Sequence, residues 1–490
     1  MNFPALLLIA LAAPPTPLAA QRQQRDTLLS ARIARVEQGL LPGVFSISGT
    51  PDSGYAITDR MRYHHVPGVS IAVVDRGKIA WARGYGVREF GAMIPVDTST
   101  LFQAGSISKP VAAMGALALV EKGKLELDRP VNSVLVSWKV PENEFTKKKP
   151  VTLRGILTHS AGLTVHGFPG YAAGSDVPTL MQVLDGTKPA NTAPVRVDIL
   201  PGSQWRYSGG GISIMQLLMT DVTGRPFPDL MRELVLSPIG MRHSTFENPL
   251  PWTHAARTAS GHERADTPVP GKYHTYPEMA AAGLWTTPSD LARWIIEVQR
   301  SYKGESSRVL SQAMTRQMLT RQFDNWGLGV SLGASGDSAT FSHGGRDEGF
   351  VAQLLAFTER GQGVVVMTNS VSGPLISEIM RSVAREYRWP ERRRTVKTIV
   401  KLQPDSYQQL EGRYRFAIDR DTFTVTISSG PDRLFIDVPG QSREELLPES
   451  DVAFFSLGGL QATFTRAQDG SPGELVIKQG GRGFKGKRWD

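Results

Sequence analysis

Ser106 and Lys109 are the residues whose types and spacing indicate chemistry most directly, because they form an S-x-x-K tetrad. A serine hydroxyl is a weak nucleophile at neutral pH and needs a base within hydrogen-bonding reach. Residues three apart on a helix are neighbours, with roughly 5–6 Å between their Cβ atoms. The lysine amine can accept the proton if burial or a neighbouring cation lowers its pKa. The tetrad therefore indicates a serine nucleophile that has its own base.

The residues around the tetrad support this interpretation, since S-x-x-K alone also occurs at ordinary helix starts with an exposed lysine. A strand-like run, 101–105, precedes it, and 110–120 is apolar enough to be a buried helix. Pro110 is tolerated only near a helix N-terminus, which places the start of that helix close to Ser106. A serine in this position lies beside free backbone N–H groups and the positive end of the helix dipole.

Two glycine-rich segments downstream contain further polar side chains. Tyr207 lies just before three glycines, which predict a turn that could point the phenol into a cleft. His343 precedes Gly344 and Gly345, and a strand edge of small residues can bind a substrate backbone and donate an N–H to an oxyanion. On its own, the first segment is more typical of a surface tyrosine, and the second could be a plain hairpin turn.

The elements that must position these residues predict an α+β architecture. Helical spacing of apolar residues occupies 25–40, and 69–81 has the pattern of a β-hairpin. Strand-like runs at 350–357 and 364–367 form a second hairpin, and a predicted helix follows at 376–387. Since the long region between the hairpins is mixed and partly helical, we expect one antiparallel sheet built from both ends of the domain, with a helical region inserted.

The composition changes after Pro390, where a different domain is predicted. Residues 391–403 are basic and typical of a linker, and residues 404–490 have the pattern of a small β-barrel or sandwich. The predicted strands are 413–418, 423–427, 434–438, 453–457, 462–465 and 475–478. We expect this C-terminal domain to shape the cleft or mediate assembly, and the hydrolase domain to span 21–390.

The first twenty residues are typical of a secretory signal, although they contain no basic side chain. The apolar run at 6–13 is too short to span a membrane, and small residues at 18–20 offer a cleavage site before Gln21. No other run is long and apolar enough to be a transmembrane helix. We therefore expect an exported protein, periplasmic or secreted, with no integral membrane segment once residues 1–20 are removed.

Composition and motifs argue against several classes of function. The 490 residues have a net charge of +9, but lysine and arginine are dispersed apart from a cluster at 381–401, unlike the basic face of a nucleic-acid-binding protein. The absence of cysteine excludes a thiolate metal site. There is no G-x-S-x-G elbow, H-E-x-x-H motif, P-loop or Rossmann fingerprint, and nothing calls for a metal or an organic cofactor.

In this order, the three motifs resemble those of the penicillin-recognising serine hydrolases of the class C β-lactamase type, whose pattern is S-x-x-K, Y-x-N, then K-T-G or H-x-G. Accessory stretches at 157–163, 238–241, 283–291 and 368–370 are also similar to that family. The resemblance covers roughly residues 30–388 and implies a β-lactamase/transpeptidase-like fold. The family includes β-lactamases, D-alanyl carboxypeptidases, D-aminopeptidases and esterases, and some members have a C-terminal β-domain.

The resemblance implies roles for individual residues. Ser106 would be the nucleophile, and Lys109 and Tyr207 would share the general-base and general-acid work. His343 would stand in for the cation of the third motif. The backbone N–H groups of Ser106 and Arg346 would form the oxyanion hole.

Two residues depart from the family pattern. Gly209, an expected substrate-binding position together with Gly345, stands where the second motif has asparagine, so a contact with a substrate amide is in doubt. His343 stands where β-lactamases have lysine, and a largely neutral histidine binds a carboxylate less well. Arg346 could supply the missing cation if its side chain turns inward. Both departures weaken a β-lactam assignment and favour esters or other amides.

We therefore predict an exported serine hydrolase that acts through an acyl-enzyme on a small ester, amide or D-amino-acid peptide. Alternatives are a β-lactamase, an acyl transferase, and a non-catalytic penicillin-binding-type envelope protein. The presence of Ser106, Lys109 and Tyr207 argues against the last, because a pure binding protein does not need all three. The expected partner is a small-molecule or short-peptide substrate and not nucleic acid.

Overall fold

The computed structural model describes residues 17–264, 266–390, 392–418, 421–441, 443–466, 472–479 and 482–489. The predicted signal at 1–20 therefore lies mostly outside the described residues. Within them, no helix combines the length and the apolar character needed to cross a membrane. The chain divides into two compact units. The first comprises 58–383 and Pro390–Arg392, and the second comprises the described residues up to Ile57 together with 384–389 and 393–490.

Helices and strands are mixed in the described residues up to 408, and strands follow in the described residues from Gly412. The helices are α1 (Pro17–Glu37), α2 (Ile57–Tyr63), α3 (Ser108–Glu121), α4 (Glu144–Lys148), α5 (Leu153–Leu157), α6 (Leu180–Asp185), α7 (Gly209–Thr223), α8 (Phe227–Met231), α9 (Ser237–Ile239), α10 (Trp252–Ala255), α11 (Met279–Ala282), α12 (Pro288–Lys303), α13 (Gln312–Met318), α14 (Gly373–Glu386) and α15 (Pro404–Gln408). The strands are β1 (Phe45–Ile47), β2 (Gly68–Asp75), β3 (Lys78–Gly86), β4 (Phe102–Gln103), β5 (His262–Arg264), β6 (Thr267–Pro268), β7 (Trp285–Thr286), β8 (Ser331–Gly333), β9 (Thr340–Asp347), β10 (Phe350–Phe357), β11 (Gly363–Thr368), β12 (Thr395–Lys397), β13 (Gly412–Ile418), β14 (Asp421–Ser429), β15 (Leu434–Asp437), β16 (Glu444–Pro448), β17 (Ala453–Phe455), β18 (Gln461–Arg466), β19 (Pro472–Gln479) and β20 (Arg482–Arg488).

The first unit is built on a six-stranded antiparallel sheet in the order β3-β2-β11-β10-β9-β8. Both predicted hairpins are present. The β2–β3 turn has positive φ at Arg76 (52°) and Gly77 (69°), as a type I′ turn requires. Since β11 pairs with β2, the sheet joins strands from both ends of the unit, and the predicted α+β architecture is confirmed.

The helical region between the hairpins has α3 at its centre. Residues Ser108 to Leu119 of α3 are buried, and α3 packs against α7 and α11. A 3₁₀ turn, Gly105–Ile107, leads directly into α3. Ser106 therefore lies in the turn just before the helix, close to where Pro110 predicts the helix to begin.

The second unit contains a closed barrel of eight antiparallel strands, β13 to β20. The barrel-like architecture is confirmed, but two of its strands, β16 and β20, were not among the six that the sequence predicts. The barrel core is mostly aromatic and aliphatic, with Tyr414, Phe416, Phe454 and Phe464 among its buried side chains. In the same unit, β1 pairs in parallel with β12. The predicted domain boundaries, 21–390 and 404–490, stay predictions.

Glu378 of α14 forms a buried ion pair in the first unit. Its carboxylate accepts two hydrogen bonds of 2.7 Å from the Arg60 guanidinium, and it lies 2.8 Å from Nε2 of His64. Burial alone would raise the pKa of Glu378, but the hydrogen bonds from Arg60 and His64 outweigh burial and hold the pKa below its ordinary value. A carboxyl whose pKa is lowered by folding stabilises the protein at neutral pH, and that stability is lost as the pH falls through the folded-state pKa.

We expect Glu378→Gln to lower the free energy of unfolding by roughly 3–5 kcal/mol at neutral pH, because it leaves a buried guanidinium without its carboxylate. Urea denaturation measures this difference. The difference between wild type and variant should shrink as the pH is lowered, and an equal difference in acid would contradict the ion-pair explanation. Asp229→Asn is the matched control, since Asp229 pairs with Arg232 at the surface (42% and 60% exposed) and should cost less than about 1 kcal/mol.

Candidate active site

A cleft of about 730 Å³ in the first unit brings the three motifs together. Ser106 and Lys109 line it from the start of α3, and Tyr207 lines it from the segment before α7. The third wall consists of residues 342–348, which are most of strand β9 and the residue that follows it. Residues that are more than 200 positions apart in the sequence therefore share one cavity.

The amine of Lys109 is the centre of the cleft. Its Nζ lies 2.8 Å from Oγ of Ser106 and 2.8 Å from the carbonyl oxygen of Ala281. Lys109 is only 2% exposed. The amine donates one N–H to the Ala281 carbonyl and one to the Ser106 hydroxyl oxygen, and these two contacts fix it beside the nucleophile. This arrangement suits proton transfer from the serine to the lysine.

Gln216 holds the segment that presents the Ala281 carbonyl. Its side chain is buried on α7, where Nε2 donates to the carbonyl of Pro277 (3.1 Å) and Oε1 accepts from the N–H of Ala280 (2.8 Å). One side chain thus connects the helix that follows Tyr207 to the acceptor of Lys109. Gln216 is not among the predicted site residues, because nothing in its local sequence pattern indicates this contact.

The phenol of Tyr207 lies among aromatic rings. The ring of His159 is 4.3 Å from that of Tyr207, the ring of His166 is 4.8 Å away and that of Trp326 is 6.1 Å away. The Lys109 amine is 5.0 Å from the centre of the Tyr207 ring. Trp326 and His166 also line the cleft, and sequence reasoning identified neither.

His159 is a neutral part of this aromatic cluster. It is completely enclosed, and burial followed by the positive charge of Lys109 holds its pKa well below the ordinary value. Its Nδ1 accepts a hydrogen bond of 3.2 Å from the N–H of Ser208, so the ring is fixed next to Tyr207. Ser208 is the N-cap of α7, and its hydroxyl accepts from the N–H of Gly211 at 2.8 Å. The cap and His159 together set the position of Tyr207.

Gly209 is the first residue of α7 and is not among the residues that line the cleft. Its N–H donates to the carbonyl of His166 at 3.1 Å. A Cβ at this position would come within 3.0 Å of the Phe168 ring. The glycine therefore permits close packing of the 166–168 segment on the start of α7.

His343 is buried and neutral. Burial and the charge of Lys109 lower its pKa to about 3, well below physiological pH. Its Nδ1 lies 2.6 Å from the carbonyl of Gly344, so Nδ1 holds the proton and donates, while Nε2 has no partner among the described residues. The sequence suggested a histidine in place of a cation, and the structure shows that this position has no positive charge at neutral pH.

Two glycines allow strand β9 to approach the turn that contains Ser106. A Cβ on Gly345 would lie 1.9 Å from the carbonyl oxygen of Ala104, and a Cβ on Gly105 would lie 2.4 Å from the backbone nitrogen of Arg346. This contact places the backbone of Arg346 next to Ser106, as the predicted oxyanion hole requires. The Arg346 side chain is exposed and leaves β9 on the opposite face from His343, so it does not replace the missing cation.

The comparisons with known proteins agree with this geometry. Residues 56–386 match the Beta-lactamase family model, so the chain belongs to the Beta-lactamase family. It is 26% identical to Esterase EstB of Burkholderia gladioli, over 64% of this chain and 90% of the esterase. It is 29% identical to a Beta-lactamase of Pseudomonas fluorescens, but over only 48% of this chain and 60% of that protein.

Among solved structures, the octameric penicillin-binding protein homologue from Pyrococcus abyssi has the same fold, with a TM-score of 0.58 at 21% identity. The match covers 88% of this chain and 98% of the homologue. Fold and family together confirm the resemblance seen in the sequence: this is a serine hydrolase of the β-lactamase and penicillin-binding protein type.

We expect Gly345→Ala to reduce kcat by about 100-fold or more on any ester that the wild type hydrolyses, because β9 must move away from the Ser106 turn and the predicted oxyanion hole opens. Steady-state kinetics with a melting-temperature check distinguishes this loss from unfolding. Gly344→Ala is the matched control, since its Cβ would meet only the flexible end of the Gln353 side chain, at 2.9 Å. Activity close to wild type in a folded Gly345→Ala variant would contradict the predicted oxyanion hole.

Proposed function

We propose that this protein hydrolyses small esters or amides through an acyl-enzyme on Ser106. The observation that supports this most directly is the 2.8 Å contact between the buried Lys109 amine and the Ser106 hydroxyl. A protein that only binds its ligand has no need of such a contact, and burying an amine is costly. The esterase among its relatives supports the ester branch of the proposal.

The chemical steps follow from the positions of the side chains. The Ser106 oxygen attacks the substrate carbonyl while its proton passes to the nitrogen of the Lys109 amine. The backbone N–H groups of Ser106 and Arg346 stabilise the oxyanion. Tyr207 then gives a proton to the leaving group as the bond to it breaks, and the acyl group stays on Ser106. Water attacks the acyl-enzyme and gives a proton to Tyr207, Lys109 returns its proton to the Ser106 oxygen as the acyl bond breaks, and the acid and the free serine are released.

The charges in the cleft favour substrates without a carboxylate at the His343 end. A β-lactam or a C-terminal D-amino-acid peptide presents a carboxylate, and a neutral His343 offers it no ionic partner. We therefore place esters and simple amides ahead of these substrates. Hydrolysis of β-lactams is the second candidate, since the family and the relative in Pseudomonas fluorescens favour it.

We also propose that the protein is exported. The apolar run at 6–13 and the small residues at 18–20 support this. A secreted or periplasmic product whose N-terminus is Gln21 would agree with the proposal, and an uncleaved cytoplasmic product would refute it.

We expect Ser106→Ala and Lys109→Ala to abolish turnover, with a loss in kcat on the order of 10⁴-fold or more, because each removes half of the nucleophile–base pair. The substrates are a short-chain nitrophenyl ester, a D-alanyl nitroanilide and a chromogenic cephalosporin. Ser342→Ala is the matched control, a serine in the wall of the same cleft. The ester should be the best substrate, and fastest turnover of the cephalosporin would select the β-lactamase function instead.

Turnover that persists in Ser106→Ala would assign the activity to another residue. A complete absence of Ser106-dependent turnover, together with binding of the substrates, would select the non-catalytic alternative.

A further inference from the structure

Three carboxyl groups lie near one another where β9 ends. Asp347 and Glu348 line the cleft, and Glu278 lies fully buried just before α11. Neither oxygen of Asp347 or of Glu278 has a hydrogen-bond partner among the described residues. Carboxyl groups therefore gather at a place that the steps proposed above do not use, and burial raises the pKa of Glu278 to about 8.

Asp347 is the most unusual of the three. It is 4% exposed, and although the N–H of Gly105 lies near it, no hydrogen bond of normal geometry forms. Burial raises the pKa of Asp347 well above its ordinary value, and the neighbouring carboxyls of Glu278 and Glu348 add to this, while the charge of Lys109 opposes it. A buried polar group without a partner is costly and calls for an explanation.

The register of β9 places Asp347 and His343 on opposite sides of the nucleophile. His343, Gly345 and Asp347 share one face of the strand, because side chains alternate along it. Gly345 faces the Ser106 turn, so His343 lies roughly 7 Å to one side of it along the strand and Asp347 roughly 7 Å to the other.

The position of Tyr207 indicates which part of a substrate lies at each end. Its ring is 6.2 Å from the ring of His343, and Tyr207 is the proposed proton donor to the leaving group. The leaving group therefore lies at the His343 end. The acyl group extends in the other direction, towards Asp347 and Glu348.

The two ends of the cleft differ in charge. At the leaving-group end, His343 is neutral and its neighbours are aromatic rings, among them Trp326 at 5.7 Å. At the acyl end, Glu348 is partly exposed in the wall and Asp347 is buried beside it. The hydroxyl of Tyr276 accepts a hydrogen bond of 3.0 Å from the N–H of Glu348, which fixes the backbone at this point.

We propose that Asp347 and Glu348 form a subsite for an ammonium group on the acyl part of the substrate. The preferred substrates are then esters or amides of amino acids, or peptides with a free amino terminus. This inference rests on the proposed function, because it assumes acyl transfer to Ser106. Glu348 meets the ammonium first, since it is the more exposed of the two, and Asp347 completes the site with a charge-assisted hydrogen bond.

The test compares two substrates that differ only in the ammonium group: the phenyl ester of alanine, as both enantiomers, and the phenyl ester of propionic acid. The measured quantity is kcat/KM for the alanine ester divided by kcat/KM for the propionic ester. We expect Asp347→Asn and Glu348→Gln each to lower this ratio by about tenfold or more, because each replaces a carboxyl group that can ionise by a neutral amide and so removes the ionic part of the contact with the ammonium. Glu297→Gln is the matched control and should leave the ratio unchanged. Glu297 is a buried carboxylate on α12, away from the cleft, and it accepts hydrogen bonds of 2.8 and 2.9 Å from the Ser306 hydroxyl.

An unchanged ratio in both variants would overturn the proposal. An equal loss on both esters in Asp347→Asn would also overturn it, since that result assigns Asp347 to the structure of the nucleophile turn. In both cases Ser106-dependent hydrolysis of the propionyl ester would leave the proposed function intact.

Binding to Ser106→Ala, measured by titration calorimetry with the same two esters, tests the subsite without turnover. Tighter binding of the alanyl ester, lost in Ser106→Ala combined with Asp347→Asn, supports the ammonium subsite even if the proposed hydrolysis fails. Equal affinity for both esters would refute the subsite.

Discussion

The buried amine of Lys109 is the interaction on which the rest of the site depends. It lies 2.8 Å from both the Ser106 hydroxyl and the Ala281 carbonyl, and it is almost completely removed from solvent. A charge in such a place acts strongly on its neighbours, since little water screens it. It adds to the effect of burial in keeping His159 and His343 neutral, and it opposes the rise in the pKa of Asp347. One lysine therefore influences the protonation of all three of these side chains.

The fold serves to hold that amine and to bring a strand against it. Because α3 is buried along most of its length, the Lys109 side chain is almost completely removed from solvent and has its partners inside the protein. The sheet supplies β9, and the glycines at 105 and 345 let the two backbones come closer than any side chain would allow. Gln216 then joins the α7 side to the segment that contains Ala281. The site is thus a place where three separate parts of the chain meet through backbone contacts.

What the sequence could predict was local. The tetrad, the two glycine-rich segments and both hairpins each have a pattern within a few residues, and the structure brings all three motifs to one cleft. The two barrel strands that the sequence did not predict, β16 and β20, have no such local pattern. Strand β20 consists largely of basic residues and glycine, and β16 begins with two glutamates, so neither has the alternation that indicates a strand.

The contacts that the sequence did not predict join distant segments. Lys109 and Ala281 are 172 residues apart, and Phe45 of β1 pairs with Thr395 of β12. Trp326 reaches Tyr207 from a loop with no motif of its own. Gly209 lies in the family's second motif, yet its place in the first turn of α7 depends on contacts with 166–168 that only the folded chain reveals. Tertiary contacts of this kind leave no periodic signal.

The substitutions that set this chain apart become related once the cleft is seen as a whole. In the sequence, His343 indicates only that the lysine that would bind a substrate carboxylate is absent. In the structure, a neutral His343 lies at one end of β9 in the cleft and the carboxyl groups of Asp347 and Glu348 lie at the other. A substrate with a carboxylate on its leaving group gains no ionic partner there, and a substrate with an ammonium on its acyl group finds two carboxyls. Under the proposed subsite these features act in the same direction, since a cation is missing on one side of the scissile bond and two acceptors for an ammonium group lie on the other.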